Sequence, residues 1–347
     1  MQTSGEMNLR IMHEAIGGEP AKKPKRKGVW FMSCFMVLVA IGASWVLVNR
    51  AYLYDWYRGM SYEPSGEMMS IRDSLGLTDK GKFVFNAAKP RLSQREEFNE
   101  QCRTAFDEET AVLGCYKDGD IYVYDIRSEE LDGIRELTTA HELLHAVWAR
   151  MSETEKNELR HDLNKVYDDN REYLGEELDT YDINERQEEL YVRAGTEVAD
   201  LPESLEKHFA EIFINQDRIV QFYDSYIVVF REIKAEINDL KKKMDEIDVS
   251  ISTKSDTYEQ LFEQYEEKVQ SFNMCAETMG CFESEDEFNT KRNALIAEQA
   301  DLDGLYVEIN QLVDEYNSLV DQYNSDVIRG EELNRTINSM DRVEKLE

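Results

Sequence analysis

Proline, histidine and positive charge are all scarce in this chain of 347 residues. With 5 prolines and 32% charged residues, the composition is typical of a helix-rich protein rather than of a disordered tail. The 40 lysines and arginines are outnumbered by 72 aspartates and glutamates, which gives a formal net charge of −32. Such a surface repels phosphate backbones, so nucleic acid is not expected as a partner. The length is enough for about two domains.

Cysteine is also sparse, with five residues. Cys34 lies inside an apolar run, where it is interpreted as a small apolar side chain. The other four fall into two close pairs, Cys102 with Cys115 and Cys275 with Cys281. Disulfides persist outside the reducing cytosol, so we expect these pairs to be bonded in a protein that faces an oxidising compartment. Connectivity is not fixed by sequence alone.

One apolar run, Val29–Val48, contains no charged residue. As a helix it would span ~30 Å, the thickness of the hydrocarbon core of a membrane. The basic cluster Lys22–Lys27 precedes it, and the positive-inside rule puts that cluster in the cytoplasm. We therefore expect a basic cytoplasmic tail (1–28), a transmembrane helix (29–48) and an extracytoplasmic remainder in the cell membrane. The run is too long for the apolar core of a cleaved signal peptide.

After the membrane segment we expect a juxtamembrane stalk (49–64), rich in aromatic residues, and a compact α+β domain (65–213). Lys117–Asp120 has the chemistry of a hairpin turn between two strands. The predicted strands are Lys82–Asn86, Ala111–Tyr116 and Ile121–Ile126. The predicted helices are Ser128–Met151, Ser152–Tyr173 and Asn184–Ala199.

The remaining segment (214–347) carries apolar residues at alternating spacings of three and four, the signature of a coiled coil. Two such seams are separated by a linker (273–286) that holds Cys275 and Cys281. The short linker favours an antiparallel helical hairpin with a disulfide-closed tip; a parallel oligomer with a coiled-coil partner is the alternative. The first seam runs from Tyr226 through Ile237 to Phe272, and the second from Leu302 to Met340.

The chemistry of the chain centres on His141, Glu142 and His145. Two histidines four residues apart on a helix stack on one face, where both imidazoles can bind one Zn²⁺. Glu142 then lies beside the metal and can act as the general base for a metal-bound water. The flanking residues in Thr138–Val147 are uncharged, as a buried active-site helix requires and a surface helix does not. The alternative is a structural one, with two core histidines and a solvated glutamate.

The segment Lys82–Phe213 resembles the zincin superfamily of HExxH metallopeptidases. Metzincins carry a third histidine six residues after the second, where this chain has Met151. The resemblance is therefore to gluzincins, which take the third zinc ligand from a glutamate on a later helix. It implies a short antiparallel sheet, an active-site helix and a glutamate helix. It also implies that the strand before the active-site helix, Ile121–Ile126, is the edge strand that holds the substrate backbone.

By this resemblance the third ligand lies in Asn184–Ala199. Glu189 is preferred because it opens the apolar part of that helix. Glu197 is the rival, since it shares a stripe with Leu190 and Ala194 and follows Gly195, which would allow close helix approach. Of the remaining histidines, His161 and His208 are interpreted as ordinary packed residues.

These expectations describe a membrane-anchored, zinc-dependent peptidase that acts on a peptide or protein substrate outside the cytoplasm. The alternative is a structural or adhesive envelope protein, in which the coiled coil is the functional part and the zincin-like domain is not catalytic. The metal distinguishes the two, because a structural zinc has four protein ligands and a catalytic zinc keeps one position for water.

Overall fold

The computed structural model describes residues 27–103, 112–179, 181 and 183–339. The chain divides into two compact units, Met1–Trp56 and Tyr57–Glu347. The predicted basic tail (1–28) lies outside the described residues except for its last two positions.

A helix, α1 (Lys27–Val48), covers the predicted membrane segment. Helix α2 (Arg50–Met60) takes the place of most of the expected stalk, and its aromatic side chains are at least half exposed. Within the described residues, the length and apolar character needed to cross a membrane are reached by a bent pair of helices, Phe35–Val48 with Arg50–Met60, and by no single helix. The membrane anchor therefore stays a prediction.

The second unit is mostly helical and is built around one small sheet. A short 3₁₀ helix (Glu129–Leu131) precedes the central helix of this unit, α6 (Ile134–Trp148). In chain order its elements are α3 (Gly66–Leu75), α4 (Asp79–Ala88), β1 (Arg91–Ser93), α5 (Arg95–Gln101), β2 (Gly114–Lys117), β3 (Asp120–Tyr124), α6 (Ile134–Trp148), α7 (Glu153–Asp169), α8 (Arg171–Leu178), α9 (Ile183–Glu197), α10 (Glu203–Phe209), α11 (Asp217–Glu277) and α12 (Glu285–Ile337).

The three strands lie in the order β1–β3–β2. β2 and β3 pair antiparallel, with Gly114 opposite Val123. Asp118 and Gly119 between them both have positive φ, the type I′ geometry of a two-residue hairpin, so the predicted hairpin is confirmed. β1 was not predicted, and it pairs parallel with β3. The sheet is therefore mixed, and the expectation of an antiparallel sheet is wrong for β1.

The predicted strand Lys82–Asn86 is wrong, because this segment belongs to helix α4. The Thr78 side chain accepts a hydrogen bond from the Gly81 N–H and caps the helix. Buried residues then recur at helical spacing and cover one face: Gly81, Val84, Phe85 and Ala88. A short apolar segment fits both the two-residue period of a strand and the 3.6-residue period of a helix. Here the Thr78 cap favours the helix.

The other predicted helices are present with shifted ends. The first predicted helix is interrupted at Gly133, whose φ of +85° is not helical and separates the 3₁₀ helix from α6. The second begins as expected after Ser152, which forms a reciprocal capping box with Glu155, and is followed by the separate helix α8. The third is α9, displaced by one or two residues from its predicted ends.

Helix α6 lies at the centre of the core, packed against the sheet on one side and α9 on another. The close approach of α6 and α9 depends on Gly195, because a Cβ there would lie 2.5 Å from Leu144 Cδ1 and 2.6 Å from Phe209 Cε1. This fixes the distance between the helix that carries the histidines and the helix that carries the candidate third ligand.

The long helices α11 and α12 pack against each other and run antiparallel, because Lys254 pairs with Glu308 while Lys268 pairs with Glu298. At the tip the Cys275–Cys281 disulfide joins the last turn of α11 to the connecting segment, and Phe272, Phe282 and Phe288 cluster there with ring centroids 5.2–5.4 Å apart. A second disulfide joins Cys102 to Cys115. Both cysteine pairs are therefore as predicted.

The opposite end of the helix pair is buried in the second unit. Ile219 of α11 belongs to the main core, and Ile233 forms a second cluster with Leu333 and Ile337 of α12 and with Ile134 of α6. The sequence predicts a domain boundary at Phe213, yet the chain on both sides of that residue contributes to the same core. Met340, predicted to end the second seam, lies outside the described residues.

Candidate metal centre

The predicted metal-binding histidines lie on one face of α6. His141 and His145 have ring centroids 5.1 Å apart, and their side chains are 26% and 18% exposed. The flanking residues of the helix are buried, including Thr139, Ala140 and Leu144. This arrangement leaves the two rings reachable while the rest of the helix is fixed in the core.

Glu189 of α9 reaches the same point in space. Its Oε1 lies 3.6 Å from His141 Nε2, and its Oε2 lies 3.5 Å from His145 Nε2. One donor atom from each of these three side chains lies within 4.8 Å of the others, a spacing that can hold a metal ion. The preferred third ligand is thus brought to the two histidines.

Glu197, the rival ligand, is not part of this group. Its carboxylate accepts hydrogen bonds from Tyr173 Oη at 2.5 Å and from the guanidinium of Arg193 at 3.0–3.1 Å. The face of α9 that Glu197 shares with Leu190 and Ala194 does point inward. Glu197 lies about two turns further along the helix than Glu189. Its surroundings are those of a buried ion pair.

Glu188 has a role that the sequence did not reveal. Its Oε1 lies 2.8 Å from Nδ1 of His145, which leaves Nε2 of the same ring directed towards Glu189. A carboxylate on the second nitrogen of a metal-binding histidine fixes the tautomer and the orientation of the ring. The available signal was the Glu188–Glu189 doublet, since adjacent residues can bind the two ends of one imidazole.

Glu142 is more deeply buried than either histidine, with 6% of its surface exposed. Its carboxylate accepts a hydrogen bond from the backbone N–H of Tyr116 on β2. A Cβ at Gly114 would lie 2.7 Å from Glu142 Cγ and 2.8 Å from Glu142 Oε1, so only glycine fits at this position. A glycine inside a strand pattern marks such a close approach, and it is the signal that the sequence offered.

The strand beside the site is therefore β2 and not the predicted one. Ile121–Ile126 was expected to be the edge strand, but β3 lies in the middle of the sheet, with β2 at the edge next to Glu142. The reason is the unpredicted strand β1, which covers the other side of β3.

Burial and charge set the protonation of the site. Burial raises the pKa of Glu142 to about 7 and lowers the pKa of His141 to about 4. Burial also acts to lower the pKa of His145, but the hydrogen bonds with Glu188 and Glu189 outweigh it and raise this pKa to about 10. Although burial acts in the opposite direction, the charges of His141 and His145 hold the pKa of Glu189 well below its usual range. Glu189 is thus an ionised carboxylate.

The other histidines in the described residues lie apart from this group. His208 contacts the buried Tyr191, with the histidine Nε2 2.9 Å from the tyrosine Oη. Burial lowers the pKa of His208. His161 is exposed on α7.

The donor set fits zinc. Two imidazoles and one carboxylate are the protein ligands of catalytic zinc sites that leave a position for water or substrate. The same three side chains are a poor match for Ca²⁺ or Mg²⁺, which take oxygen ligands. Comparison of the chain with protein-family models, with curated proteins and with solved structures finds no match.

Proposed function

We propose that this protein is a zinc-dependent peptidase of the gluzincin type. The observation that carries the proposal is the convergence of His141, His145 and Glu189 within 4.8 Å, with Glu142 buried on α6 between the two histidines in sequence. Polar side chains of this kind are costly to bury without partners, and the residues that flank His141, Glu142 and His145 in Thr138–Val147 are uncharged.

His141, His145 and Glu189 would hold the zinc, and Glu188 would orient His145. Bound zinc lowers the pKa of a water molecule and polarises a carbonyl oxygen. Glu142 accepts the proton of the attacking water and passes it to the leaving amine. A carboxyl group with a pKa near the working pH is suited to both steps.

The edge strand β2 supports a peptide as the substrate. The Tyr124 N–H donates to the Leu113 carbonyl across the hairpin, and alternate residues of an antiparallel strand face opposite edges. Gly114 and Tyr116 therefore direct their backbone groups away from β3. An extended peptide can add to such an edge by main-chain hydrogen bonds, which would hold its scissile bond beside the candidate metal centre.

The proposed location is the outer face of a cell membrane, with the N-terminal basic cluster in the cytoplasm and the peptidase outside. Two disulfides in the second unit support an oxidising compartment. The exposed aromatic residues of α2 are suited to a membrane–water interface. We further propose that α11 and α12 form an antiparallel coiled coil, a view supported by their heptad spacing and by the ion pairs across them.

The test measures zinc and hydrolysis separately. Purified protein should bind one zinc per chain, His145→Ala should lose it, and His161→Ala, which changes an exposed histidine, should keep it. Glu142→Gln should keep the zinc and lose hydrolysis of an unfolded protein such as reduced casein by about 10²–10⁴-fold. Equal zinc content in the wild type and His145→Ala would refute the metal site, and full activity of Glu142→Gln would refute the mechanism.

A structural or adhesive role is the second candidate, and the tip of the helix pair favours it. Met279 is fully exposed there beside the cluster of three phenylalanines, an apolar surface on a strongly acidic protein. This candidate predicts a fourth protein ligand on the metal and no hydrolysis by the wild type. Zinc binding with an exchangeable water, measured by the X-ray absorption spectrum of the bound metal, would decide against it.

A further inference from the structure

One face of strand β2 is fixed to α6, the helix that carries two of the candidate metal ligands. Gly114 and Tyr116 share this face, since side chains alternate along a strand. A Cβ at Gly114 would lie 2.7 Å from Glu142 Cγ. The Tyr116 hydroxyl accepts a hydrogen bond of 3.0 Å from Nη1 of Arg150, just beyond the end of α6. The same Nη1 donates to the Ala146 carbonyl at 2.8 Å, so this guanidinium is itself anchored on α6.

The opposite face of β2 is joined to helix α5. Cys115 lies on this face and forms a disulfide with Cys102, the residue that follows α5, and both cysteines are buried. The Lys117 ammonium donates a hydrogen bond of 2.8 Å to the Gln101 carbonyl at the end of the same helix. β2 is therefore held from both faces, by a covalent bond on one side and by packing and a hydrogen bond on the other.

Helix α5 is a firm support for this disulfide. Phe98 is fully buried, and its ring stacks on that of Tyr124 in the central strand β3, with centroids 5.5 Å apart. The Asn99 side-chain amide donates a hydrogen bond of 2.9 Å to the Ser339 carbonyl, beyond the end of α12. The disulfide thus connects β2 to the middle of the sheet and to the buried end of the helix pair.

The position of β2 in the sheet makes such restraints important. Among the described residues, β2 pairs with β3 alone, and its other edge is where we propose that a peptide substrate adds. A strand with one hydrogen-bonded neighbour is held less firmly than a central strand. A peptide that binds to a loose strand must also order it, which lowers affinity. Restraints on the two faces keep the strand in place and leave its outer edge open.

We propose that the Cys102–Cys115 disulfide and the Arg150–Tyr116 hydrogen bond position β2 for substrate binding. The inference rests on the proposed peptidase function. Both restraints should act on substrate affinity and leave zinc affinity unchanged, because the three candidate ligands lie on α6 and α9, and neither cysteine belongs to these helices.

The test removes each disulfide of the described protein in turn. Cys102→Ala with Cys115→Ala frees β2 from α5, and Cys275→Ala with Cys281→Ala is the matched control at the tip of the helix pair. The measurements are KM and kcat for reduced casein, the zinc dissociation constant by competition with a chromophoric chelator, and thermal unfolding. Amide hydrogen exchange of residues 113–117 reports the restraint on the strand directly.

We expect loss of the Cys102–Cys115 disulfide to raise KM about 10-fold and to change kcat by less than about 2-fold, because bound peptide restores the order of the strand. Hydrogen exchange of residues 113–117 should become faster, with unchanged zinc affinity. The control should keep all of these values. Both disulfide variants should unfold at lower temperature, so a purely structural disulfide would change thermal unfolding and leave KM as it is.

A milder change tests the other face and does not depend on the folding of the disulfide variant. Tyr116→Phe keeps the ring and removes the hydroxyl that Arg150 contacts. It should raise KM about 3-fold, with kcat and zinc affinity unchanged. Tyr265→Phe is its control, since that hydroxyl lies on the exposed part of α11.

The outcomes separate the two proposals. A wild-type protein that does not hydrolyse casein refutes the peptidase and this inference together. Hydrolysis by the wild type, with unchanged KM and unchanged exchange of residues 113–117 in the Cys102–Cys115 and Tyr116 variants, refutes the positioning role alone. An equal rise in KM on loss of the tip disulfide refutes it as well, because that bond does not touch the sheet.

Discussion

At the scale of single residues, the candidate site depends on positions without ligand chemistry. Gly114 is a clear case, because it allows the backbone of β2 to lie directly against the Glu142 carboxylate and the Thr138 side chain. The resemblance to zincins directs attention to histidines and glutamates, yet the placement of Glu142, the proposed general base, depends on the missing side chain at Gly114.

Gly114→Ala should therefore impair hydrolysis while zinc is kept. The new Cβ would meet Glu142 Cγ and Thr138 Cγ2 at 2.7 Å, so the general base must move. A displacement of about 1 Å can cost about 100-fold in rate. Overpacking should also cost about 1–3 kcal/mol of stability.

Gly304→Ala is the matched control, since no atom lies within 4 Å of a Cβ at that position. It should leave both hydrolysis and zinc content unchanged. The measurements are the rate of casein hydrolysis, metal content and chemical denaturation. Wild-type activity in Gly114→Ala would show that Glu142 is not the base or does not need its present position.

The sequence indicated the candidate ligands and the proposed general base better than the residues that contact them. His141, His145 and Glu142 follow from one motif, and Glu189 follows from the start of an apolar stretch. Glu188 had only the Glu188–Glu189 doublet as a signal, because its contact with His145 arises from the relative placement of α6 and α9. A charged residue on a helix is more often solvated, and only tertiary packing distinguishes the exceptions.

At the scale of elements, the distance between α6 and α9 is the quantity that matters for the site. The two helices carry all three candidate ligands, and they approach closely because Gly195 has no side chain. Periodicity predicted α9 to within two residues and placed the start of α6 six residues too early, at Ser128. It could not separate the short elements, since Lys82–Asn86 fits a strand as well as one turn of α4, and β1 is three residues long.

Gly195→Ala should weaken zinc binding through this distance. A Cβ would meet Leu144 Cδ1 at 2.5 Å and Phe209 Cε1 at 2.6 Å, so α9 must move away from α6 and take Glu189 with it. We expect a loss of about 1–3 kcal/mol in the free energy of unfolding and a weaker zinc complex. Leu144→Ala in the same chain should restore part of the zinc affinity by making room. If Gly195→Ala destabilises the fold but binds zinc with wild-type affinity, the ligand geometry does not depend on this contact.

At the scale of the whole molecule, the helix pair is not an appendage joined at Phe213. Its base supplies Ile219 to the main core, and Ile233, Leu333 and Ile337 pack against Ile134 at the start of α6. The heptad pattern predicted both helices, the short linker favoured their antiparallel arrangement, and the close cysteines predicted the disulfide at the tip. It did not predict which heptads face the partner helix alone and which face the rest of the protein.

A shortened protein tests this arrangement. Deletion of residues 248–314, replaced by a short glycine–serine loop, removes the outer part of the pair and keeps the base. Lys254 and Glu308 face each other, and the last retained residue of each arm lies seven residues from this pair towards the base, so the register is preserved. This variant should fold and bind zinc as the wild type does.

Truncation after residue 213 should instead leave an unstable protein without zinc. It removes several buried side chains, Tyr223 among them, and the burial of each stabilises the fold by about 1.5–3 kcal/mol. Thermal unfolding and metal content report both results. A stable, zinc-binding 1–213 fragment would show that the predicted boundary is a true domain boundary.

Contacts between residues far apart in the sequence also determine when the second unit can finish folding during synthesis. Glu130, just before α6, pairs with Arg329 of α12, 199 residues later. A ribosome adds about 5–20 residues per second, so about 10–40 s pass between the two. During that interval Ile126, Leu131 and Ile134 have no partner from α12 and expose apolar surface. The start of α6, the helix that carries the candidate metal ligands His141 and His145, is therefore packed completely only after the long helices have been made.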